Sequence, residues 1–244
     1  EFDIIVIDEV HRAGAESYRR IMEYFTPKFW LGMTASPERT DGFNIYELFD
    51  YNIAYEIRLQ QALEEDLLCP FHYFGISDFK VEDSVTDARE FSRLVDTARV
   101  DHVMKQANYF GYSGNRVKGL IFCSRKEEAQ KLSQLFNEKG WRTLALSGDD
   151  KQEIRLDAVR RLCDDTIPEE ERLDYIITVD IFNEGVDIPD INQVIMLRPT
   201  ESVIIFVQQL GRGLRKAPGK EYVVIIDFIG NYTNNFMIPV ALSG

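Results

Sequence analysis

The 244-residue sequence contains few of the residues that build disulfide frameworks or metal sites. It has three cysteines and three histidines. The cysteines, at positions 69, 123 and 163, show neither the paired spacing of a zinc knuckle nor the density of a small secreted domain. This scarcity excludes a disulfide-stapled fold and a structural zinc site. It favours a reduced, cytoplasmic protein.

Long apolar runs are also missing. No uncharged stretch approaches the roughly 20 residues that a membrane-spanning helix needs, and no basic, apolar leader opens the chain. The sequence therefore predicts no association with a membrane and no secretion. A hydrophobic content of 45% is ordinary for a packed protein, and the length allows one large domain or two small ones.

Positive charge is in deficit. The chain has 28 Lys and Arg residues against 41 Asp and Glu residues, which gives a formal net charge of -13. Proteins that bind phosphate backbones tightly usually present basic faces, so this balance argues against strong nonspecific binding of nucleic acid. A local binding surface for nucleic acid remains compatible with this net charge, because cationic residues cluster late in the chain, at Arg198, Arg212, Arg215, Lys216 and Lys220.

The chain does show a regular alternation of short apolar runs and helix-period segments. Continuously apolar runs predict buried parallel strands, and they cover residues 2–7, 29–33, 52–57, 117–122, 143–146, 175–179, 193–196 and 222–226. Segments with one apolar stripe predict helices over residues 87–109, 126–139, 151–164 and 202–210. This order predicts an α/β fold built from βαβ units, with helices flanking a parallel sheet.

An acid-rich stretch from Glu64 to Asp87 marks the predicted domain boundary. It flanks a short apolar run over residues 70–76, which we interpret as the crossover out of a first lobe. The predicted division is a partial first lobe over residues 1–69, a linker over residues 70–86 and a second lobe over residues 87–244.

The first apolar run delivers two carboxylates, Asp8 and Glu9, at its C-terminal end. Open α/β sheets build their sites at that end of the strands. An aspartate there can hold Mg²⁺ against nucleotide phosphates, and an adjacent glutamate can accept a proton from an attacking water. Solvated acids also commonly end buried strands, so this segment alone leaves both interpretations open.

Four further segments follow the Asp8-Glu9-Val10-His11 sequence in a fixed order. They read LGMTASP over residues 31–37, LIFCSR over 120–125, TVDIFNEGVDIP over 178–189 and QQLGRGLR over 208–215. Together the five segments resemble motifs II to VI of the superfamily 2 helicases, with the DExH form of motif II, over nearly the whole chain. The sequence is most similar to the branch of restriction-enzyme motor subunits and repair helicases. The resemblance implies RecA-like lobes of the P-loop nucleotide-binding type.

The resemblance also implies a role for each motif. Asp8 would coordinate Mg²⁺, Glu9 would deprotonate the hydrolytic water, and Arg212 and Arg215 would stabilise charge on the γ-phosphoryl group of ATP. The other implied nucleotide-binding residues are His11, Gly185, Asp187 and Gln208. The residues implied in coupling to nucleic acid are Thr34, Ser36, Ser124, Arg125 and Thr178.

Each of these motifs also has a purely structural explanation. Thr34 and Ser36 can cap the turn before Pro37, and the Gly185 segment can form a tight turn between a strand and a helix. His11 can be a surface histidine, and the basic residues of motif VI can be a solvated helix end.

The phosphate-binding loop G-x-x-x-x-G-K-[ST], which precedes motif II in this superfamily, is absent from the sequence. The one Gly-Lys pair, Gly219-Lys220, is followed by Glu221. We therefore expect a C-terminal part of a longer polypeptide that does not hydrolyse ATP by itself. Its incomplete first lobe would carry an unpaired strand edge through which it could self-associate.

The expected function of the parent protein is ATP- and Mg²⁺-dependent helicase or translocase activity on nucleic acid. DNA is favoured over RNA, because Glu184 stands where many RNA-directed members have arginine. Two alternatives stay open. One is a nonhydrolysing nucleic-acid-binding or regulatory module with this fold, and the other is an unrelated α/β nucleotide enzyme.

Overall fold

The computed structural model describes residues 2–34, 44–77, 97–179, 188–197 and 214–229. The chain divides into two compact units, Glu1–Arg58 and Leu59–Gly244. This division lies upstream of the predicted boundary at residues 69 and 70. Among the described residues, no helix is long and apolar enough to cross a membrane.

The first unit is built on two parallel strands, β1 (Ile4–Ile7) and β2 (Phe29–Gly32), with Ile4 opposite Phe29. A 3-10 turn over Val10–Gly14 and helix α1 (Glu16–Tyr24) connect them, and a second 3-10 turn covers Ile45–Phe49. Among its described residues, the buried apolar side chains are Ile7, Val10, Ala13 and Ile45. The described core of this unit is therefore small.

One face of the β1–β2 pair presents apolar side chains to solvent. Ile4 is 62% exposed and Val6 is 51% exposed, and the cross-strand neighbour Phe29 is also exposed. Alternation along a strand sends Ile5 and Ile7 to the opposite, packed face. The first unit thus carries an apolar surface of the kind that proteins usually cover.

The predicted strand over residues 52–57 is wrong. Asp50 and Tyr51 have left-handed backbones, with φ of 50° and 59°, and they end the preceding 3-10 turn. Residues 52–57 form no strand, and Ile53 and Tyr55 are exposed. An apolar run becomes a strand only where a neighbouring strand pairs with it, and no described strand pairs with this run.

The described residues of the second unit include six parallel strands: β3 (Phe71–Ser77), β4 (Gly119–Phe122), β5 (Thr143–Leu146), β6 (Tyr175–Thr178), β7 (Gln193–Met196) and β8 (Val223–Ile229). They form one sheet in the order β3-β8-β7-β4-β6-β5. The helices are α2 (Leu59–Glu64), α3 (Thr97–Phe110), α4 (Lys126–Glu138) and α5 (Gln152–Cys163), with a 3-10 turn at Glu169–Glu171. The predicted parallel α/β fold is confirmed.

Helices cover both faces of this sheet. On one face α3 and α4 bury residues such as Val103 and Leu132 against Ile121 and Ile195. On the other face α5 buries Ala158 and Leu162 in a cluster with the opposite side chains of the same strands. Coverage of both faces explains why these strands read as continuous apolar runs.

The segment predicted as a crossover is largely strand β3. It pairs with β8 from Phe71 opposite Val223 to Ser77 opposite Ile229. Its alternating side chains pack on both faces of the sheet, with Tyr73 on one and Phe74 on the other. The predicted linker, residues 70–86, therefore begins inside the sheet of the second unit, and residues beyond 77 lie outside the described part of the chain.

A buried carboxylate joins β3 to β8. The Tyr73 hydroxyl donates a hydrogen bond of 2.7 Å to Oδ2 of Asp227, which is buried. Burial raises the pKa of Asp227, and the hydrogen bond from Tyr73 partly offsets this rise. Burial, with the charge of Asp227, also raises the pKa of Tyr73. Tyr73 is therefore the donor of the pair.

Tyr73→Phe is expected to lower the free energy of unfolding by about 1.5–3 kcal/mol at pH 7, because it leaves the buried carboxylate without its donor. A raised pKa means that the folded chain binds the Asp227 proton more tightly than the unfolded chain, so stability falls as pH rises above the ordinary aspartate pKa of about 3.9. Urea unfolding between pH 4 and 7 should show a steeper fall for Tyr73→Phe and a shallower one for Asp227→Asn. An unchanged slope in both variants would contradict the assignment.

Candidate functional site

The two predicted catalytic carboxylates lie where β1 ends. Asp8 is exposed, and its Oδ1 accepts the backbone N–H of Glu9 at 2.9 Å. Glu9 has a left-handed backbone with φ of 50°, which turns the chain out of the strand. The next residue, Val10, donates its N–H to the carbonyl of Met33 at 2.9 Å. The carboxylates are thereby fixed beside the end of β2.

Motif II and motif III meet through a side-chain contact. Nδ1 of His11 lies 2.9 Å from the Thr34 hydroxyl, and either group can be the donor, depending on the tautomer of the histidine. The same Nδ1 lies 3.2 Å from Oε2 of Glu9. The structure therefore brings three of the predicted site residues together, although they come from two separate segments of sequence.

One oxygen at this site accepts no hydrogen bond from any described residue. Oε2 of Glu9 is shielded from solvent, and no described group donates a hydrogen bond to it; the nearby His11 nitrogen is at ion-pair distance without hydrogen-bond geometry. This carboxylate oxygen therefore keeps spare acceptor capacity.

The donor set at this edge fits a Mg²⁺ ion that is shared with a nucleotide. Mg²⁺ prefers oxygen ligands and is commonly bound by one or two carboxylates together with substrate phosphates. The exposed carboxylate of Asp8 meets that requirement. No group of three or more ligating side chains lies together in the described parts of the chain, so a cage built of protein alone has no support here.

In the second unit, the predicted nucleic-acid residues lie at the carboxyl edge of the sheet. Ser124 and Arg125 follow β4 and are both exposed. The loop after β5 lies on the same edge, since the strands are parallel, and Arg155 donates to the carbonyl of Gly148 in that loop at 2.6 Å. Cys123 donates its N–H to the carbonyl of Thr178 at 3.0 Å, which ties the ends of β4 and β6 together.

Thr178 itself is a core residue of β6. Its side chain has no accessible surface, and its hydroxyl has no hydrogen-bond partner among the described residues. The sequence predicts that the end of this strand contacts the nucleic-acid backbone. The Thr178 side chain is buried in this conformation, and its backbone carbonyl accepts the N–H of Cys123 beside the Ser124 loop.

Several predicted site residues lie outside the described residues: Ser36, Gly185, Asp187, Gln208 and Arg212. The predicted helix over residues 202–210 lies outside them as well. Arg215 is described and exposed. It follows Leu214, whose carbonyl accepts the N–H of Cys69 at 2.7 Å, and it precedes Lys216, whose Nζ lies 2.5 Å from Asp66. The end of motif VI is thus attached to the turn that leads into β3.

Sequence reasoning missed the buried charges around these loops. Glu128 accepts the N–H of Ser124 at 3.0 Å and pairs with Arg99. A glutamate at the third position of a helix is a recognisable capping signal, so Glu128 could have been found. Arg99 carries no comparable signal, because its role depends on a partner from another helix.

Two protein-family models match the chain. The helicase conserved C-terminal domain matches residues 98–217, and the res subunit of type III restriction enzymes matches residues 1–39. The second match contains Asp8, Glu9, His11 and Thr34. The first contains every predicted residue from Ser124 to Arg215.

Curated relatives cover most of the chain. A Saccharomyces cerevisiae protein assigned as the ATP-dependent helicase IRC3 is 28% identical over 93% of this chain and 34% of its own length. The type I restriction enzyme EcoAI endonuclease subunit of Escherichia coli is 24% identical over 93% of the chain and 31% of its own length. The chain therefore spans about a third of these relatives.

Solved structures share the fold. A fragment structure assigned to the HsdR subunit of a type I restriction enzyme from Vibrio vulnificus aligns with a TM-score of 0.74 and 27% identity, over 100% of this chain and 46% of its own. The type ISP restriction-modification enzyme LlaBIII bound to DNA aligns over 100% of this chain and 20% of its own, with a TM-score of 0.68 and 19% identity.

Proposed function

The chain belongs to the superfamily 2 helicases, and we propose that it is the part of an ATP- and Mg²⁺-dependent helicase or translocase that carries motifs II to VI. The observation that supports this most directly is the contact of His11 with Thr34, at 2.9 Å, beside Glu9. This contact links His11 of motif II, which would respond to hydrolysis, to Thr34 of motif III, which would couple hydrolysis to nucleic acid.

The proposed chemistry assigns one task to each residue. Asp8 would hold a Mg²⁺ ion, which would offset charge on the nucleotide phosphates when bound. Glu9 would accept a proton from the attacking water. His11 would change its contacts with Glu9 and Thr34 as that proton arrives, because both neighbours compete for the same ring nitrogen. Arg212 and Arg215 would stabilise charge on the transferring phosphoryl group.

The proposed contacts to nucleic acid are to the backbone. Ser124 and Arg125 present a hydroxyl and a cation at an exposed edge, and the loop at Gly148 lies on that same edge of the sheet. Groups of this kind bind phosphate and sugar without reading sequence. DNA is proposed as the nucleic acid that is bound. Glu184 stands where many RNA-directed members have arginine, and the relatives include a restriction-enzyme subunit.

The chain alone is proposed to be inactive in ATP hydrolysis. Its sequence contains no phosphate-binding loop, and the lysine and backbone amides of such a loop would have to bind the phosphates. The apolar face around Ile4 and Val6 is proposed as a surface for self-association or for contact with another part of a longer polypeptide.

The test is ATP hydrolysis measured with and without single-stranded DNA. The 244-residue chain is expected to show no turnover above background, whereas a polypeptide that joins it to a phosphate-binding loop in its natural coding sequence should be stimulated by DNA. Robust Mg²⁺-dependent turnover by the chain alone would contradict the proposed inactivity. DNA binding without any turnover in the longer polypeptide would favour a nonhydrolysing module instead.

A further inference from the structure

Two buried charges lie beneath the loop that follows β4. Arg99 on α3 is 4% exposed and Glu128 on α4 is fully buried, and Nη1 of Arg99 lies 3.6 Å from Oε1 of Glu128. A second guanidinium nitrogen donates to the carbonyl of Leu197, after β7, at 3.3 Å. Removing two charges from water is costly, and a buried pair is weak evidence for stability alone. Its position suggests a further role.

The other oxygen of Glu128 holds the loop itself. Oε2 accepts the backbone N–H of Ser124 at 3.0 Å. The cap residue of α4, Arg125, makes no side-chain capping bond, so Glu128 supplies an acceptor to the start of this helix. Hydrogen bonds to a charged acceptor are stronger than neutral ones. The hydrogen bond to the buried Glu128 therefore fixes the main chain at Ser124, while the Ser124 side chain is exposed to solvent.

The surroundings of Glu128 act in opposite directions on its charge. Burial raises the pKa of Glu128, whereas the N–H groups of Ser124 and Arg125 and the positive charges of Arg99 and Arg125 lower it. Arg99 is the buried counter-charge among these. Its guanidinium lies 3.6 Å from Oε1 of Glu128, which accepts no hydrogen bond from a described residue, so the attraction between the two side chains is ionic.

We propose that Glu128 is a positioning residue that holds the Ser124–Arg125 loop in the conformation that contacts the nucleic-acid backbone, and that Arg99 holds Glu128. This inference rests on the proposed function. A loop that is already ordered loses less conformational freedom on binding. The Arg99–Glu128 pair therefore increases affinity without contacting the nucleic acid. The pair also connects the loop after β4 to the end of β7 through two side chains, because Glu128 accepts the N–H of Ser124 and Arg99 donates to the carbonyl of Leu197.

Two double variants separate positioning from simple loss of charge. R99M/E128Q and R99M/E128M both remove the buried pair, so neither leaves an unpaired buried charge. Glutamine can still accept the N–H of Ser124, and methionine cannot. Binding of a fluorescent single-stranded oligothymidine to the 244-residue chain, measured by anisotropy at low salt, should be near the unaltered affinity for R99M/E128Q. It should be roughly tenfold weaker for R99M/E128M, which corresponds to about 1.4 kcal/mol.

A matched control lies on the same helix. Ser133→Ala removes a buried hydrogen bond of 2.8 Å between Ser133 and Thr143, near the opposite edge of the sheet. It should lower the melting temperature and leave oligonucleotide affinity unchanged. Equal affinity of the two double variants, in the presence of binding by the unaltered chain, would overturn the positioning role. Absence of binding by the unaltered chain would instead overturn the proposed function, on which the inference depends.

A measurement on the unaltered chain keeps the proposal testable if R99M/E128M does not fold. The Ser124 amide should exchange with deuterium slowly in the free protein, since Glu128 accepts it. Residues 120–127 should then gain further protection when oligonucleotide is added. A Ser124 amide that exchanges at the rate of an open loop would overturn the proposal.

Discussion

Arg212→Ala or Arg215→Ala is expected to lower DNA-stimulated ATP hydrolysis by about 10³-fold or more in a polypeptide that joins this chain to a phosphate-binding loop, since arginines that stabilise phosphoryl-transfer charge contribute on that scale. The two residues are three positions apart in the sequence QQLGRGLR. Binding of DNA in the absence of nucleotide should change much less than turnover.

The anchoring of Arg215 supports this expectation. Leu214 before it is buried and bonded to Cys69, and Lys216 after it is paired with Asp66. The backbone on either side is thus attached to the second unit, while the Arg215 side chain is exposed. This arrangement suits a group that acts on a ligand.

Two further variants sharpen the arginine experiment. Arg215→Lys should recover little activity, because an ammonium group lacks the planar, bidentate donor geometry of a guanidinium. Arg160→Ala is the control, because Arg160 is an exposed arginine that bonds Asp157 one turn earlier on α5. It should leave turnover unchanged. Retained turnover in both motif VI variants would favour the unrelated α/β nucleotide enzyme.

The fold of the second unit could be predicted from sequence because its strands are buried on both faces. The bounds of β5 and β7 match the predicted runs, and β4, β6 and β8 differ from them by a few residues. Apolar side chains at most positions make such strands recognisable in the sequence. Helices α4 and α5 were equally readable from their apolar stripes.

Two apolar runs of the sequence differ in outcome for one physical reason. The runs over residues 52–57 and 70–76 are both apolar and short, yet only the second became a strand. Its partner, β8, begins at Val223, far along the sequence. Pairing between such distant segments is decided by tertiary packing rather than by local propensity, so local patterns could not separate the two runs.

The candidate site was predictable where a motif combined chemistry with position. Glu9, His11 and Thr34 were predicted from sequence and lie in contact. Thr178 is predicted to contact the nucleic-acid backbone and its side chain is buried, because local sequence does not show which side of a strand end packs into the core. Arg99 was missed altogether, since a buried arginine is rare and its partner is on a different helix.

Glu9→Gln is expected to lower ATP turnover by about 10²- to 10⁴-fold in the polypeptide with a phosphate-binding loop, which is the usual contribution of a general base. Glutamine has nearly the same shape, but its amide cannot take up the proton of the attacking water. ATP affinity should change little, because the proposed Mg²⁺ ligand is Asp8. Turnover by rapid-quench assay and nucleotide affinity by calorimetry provide the comparison, with the exposed Glu16→Gln as control.

The separation of turnover from affinity decides what Glu9 does. Oε2 of Glu9 is shielded and has no hydrogen-bond donor in the described protein, whereas Asp8 is exposed and already accepts one N–H. If Glu9→Gln abolishes turnover and leaves ATP affinity unchanged, the carboxylate of Glu9 is the proton acceptor. If ATP affinity falls in parallel with turnover, Glu9 instead helps to hold the Mg²⁺–nucleotide complex, and the base must be sought elsewhere. Asp8→Asn should give that second pattern, because a neutral amide is a weaker Mg²⁺ ligand than a carboxylate.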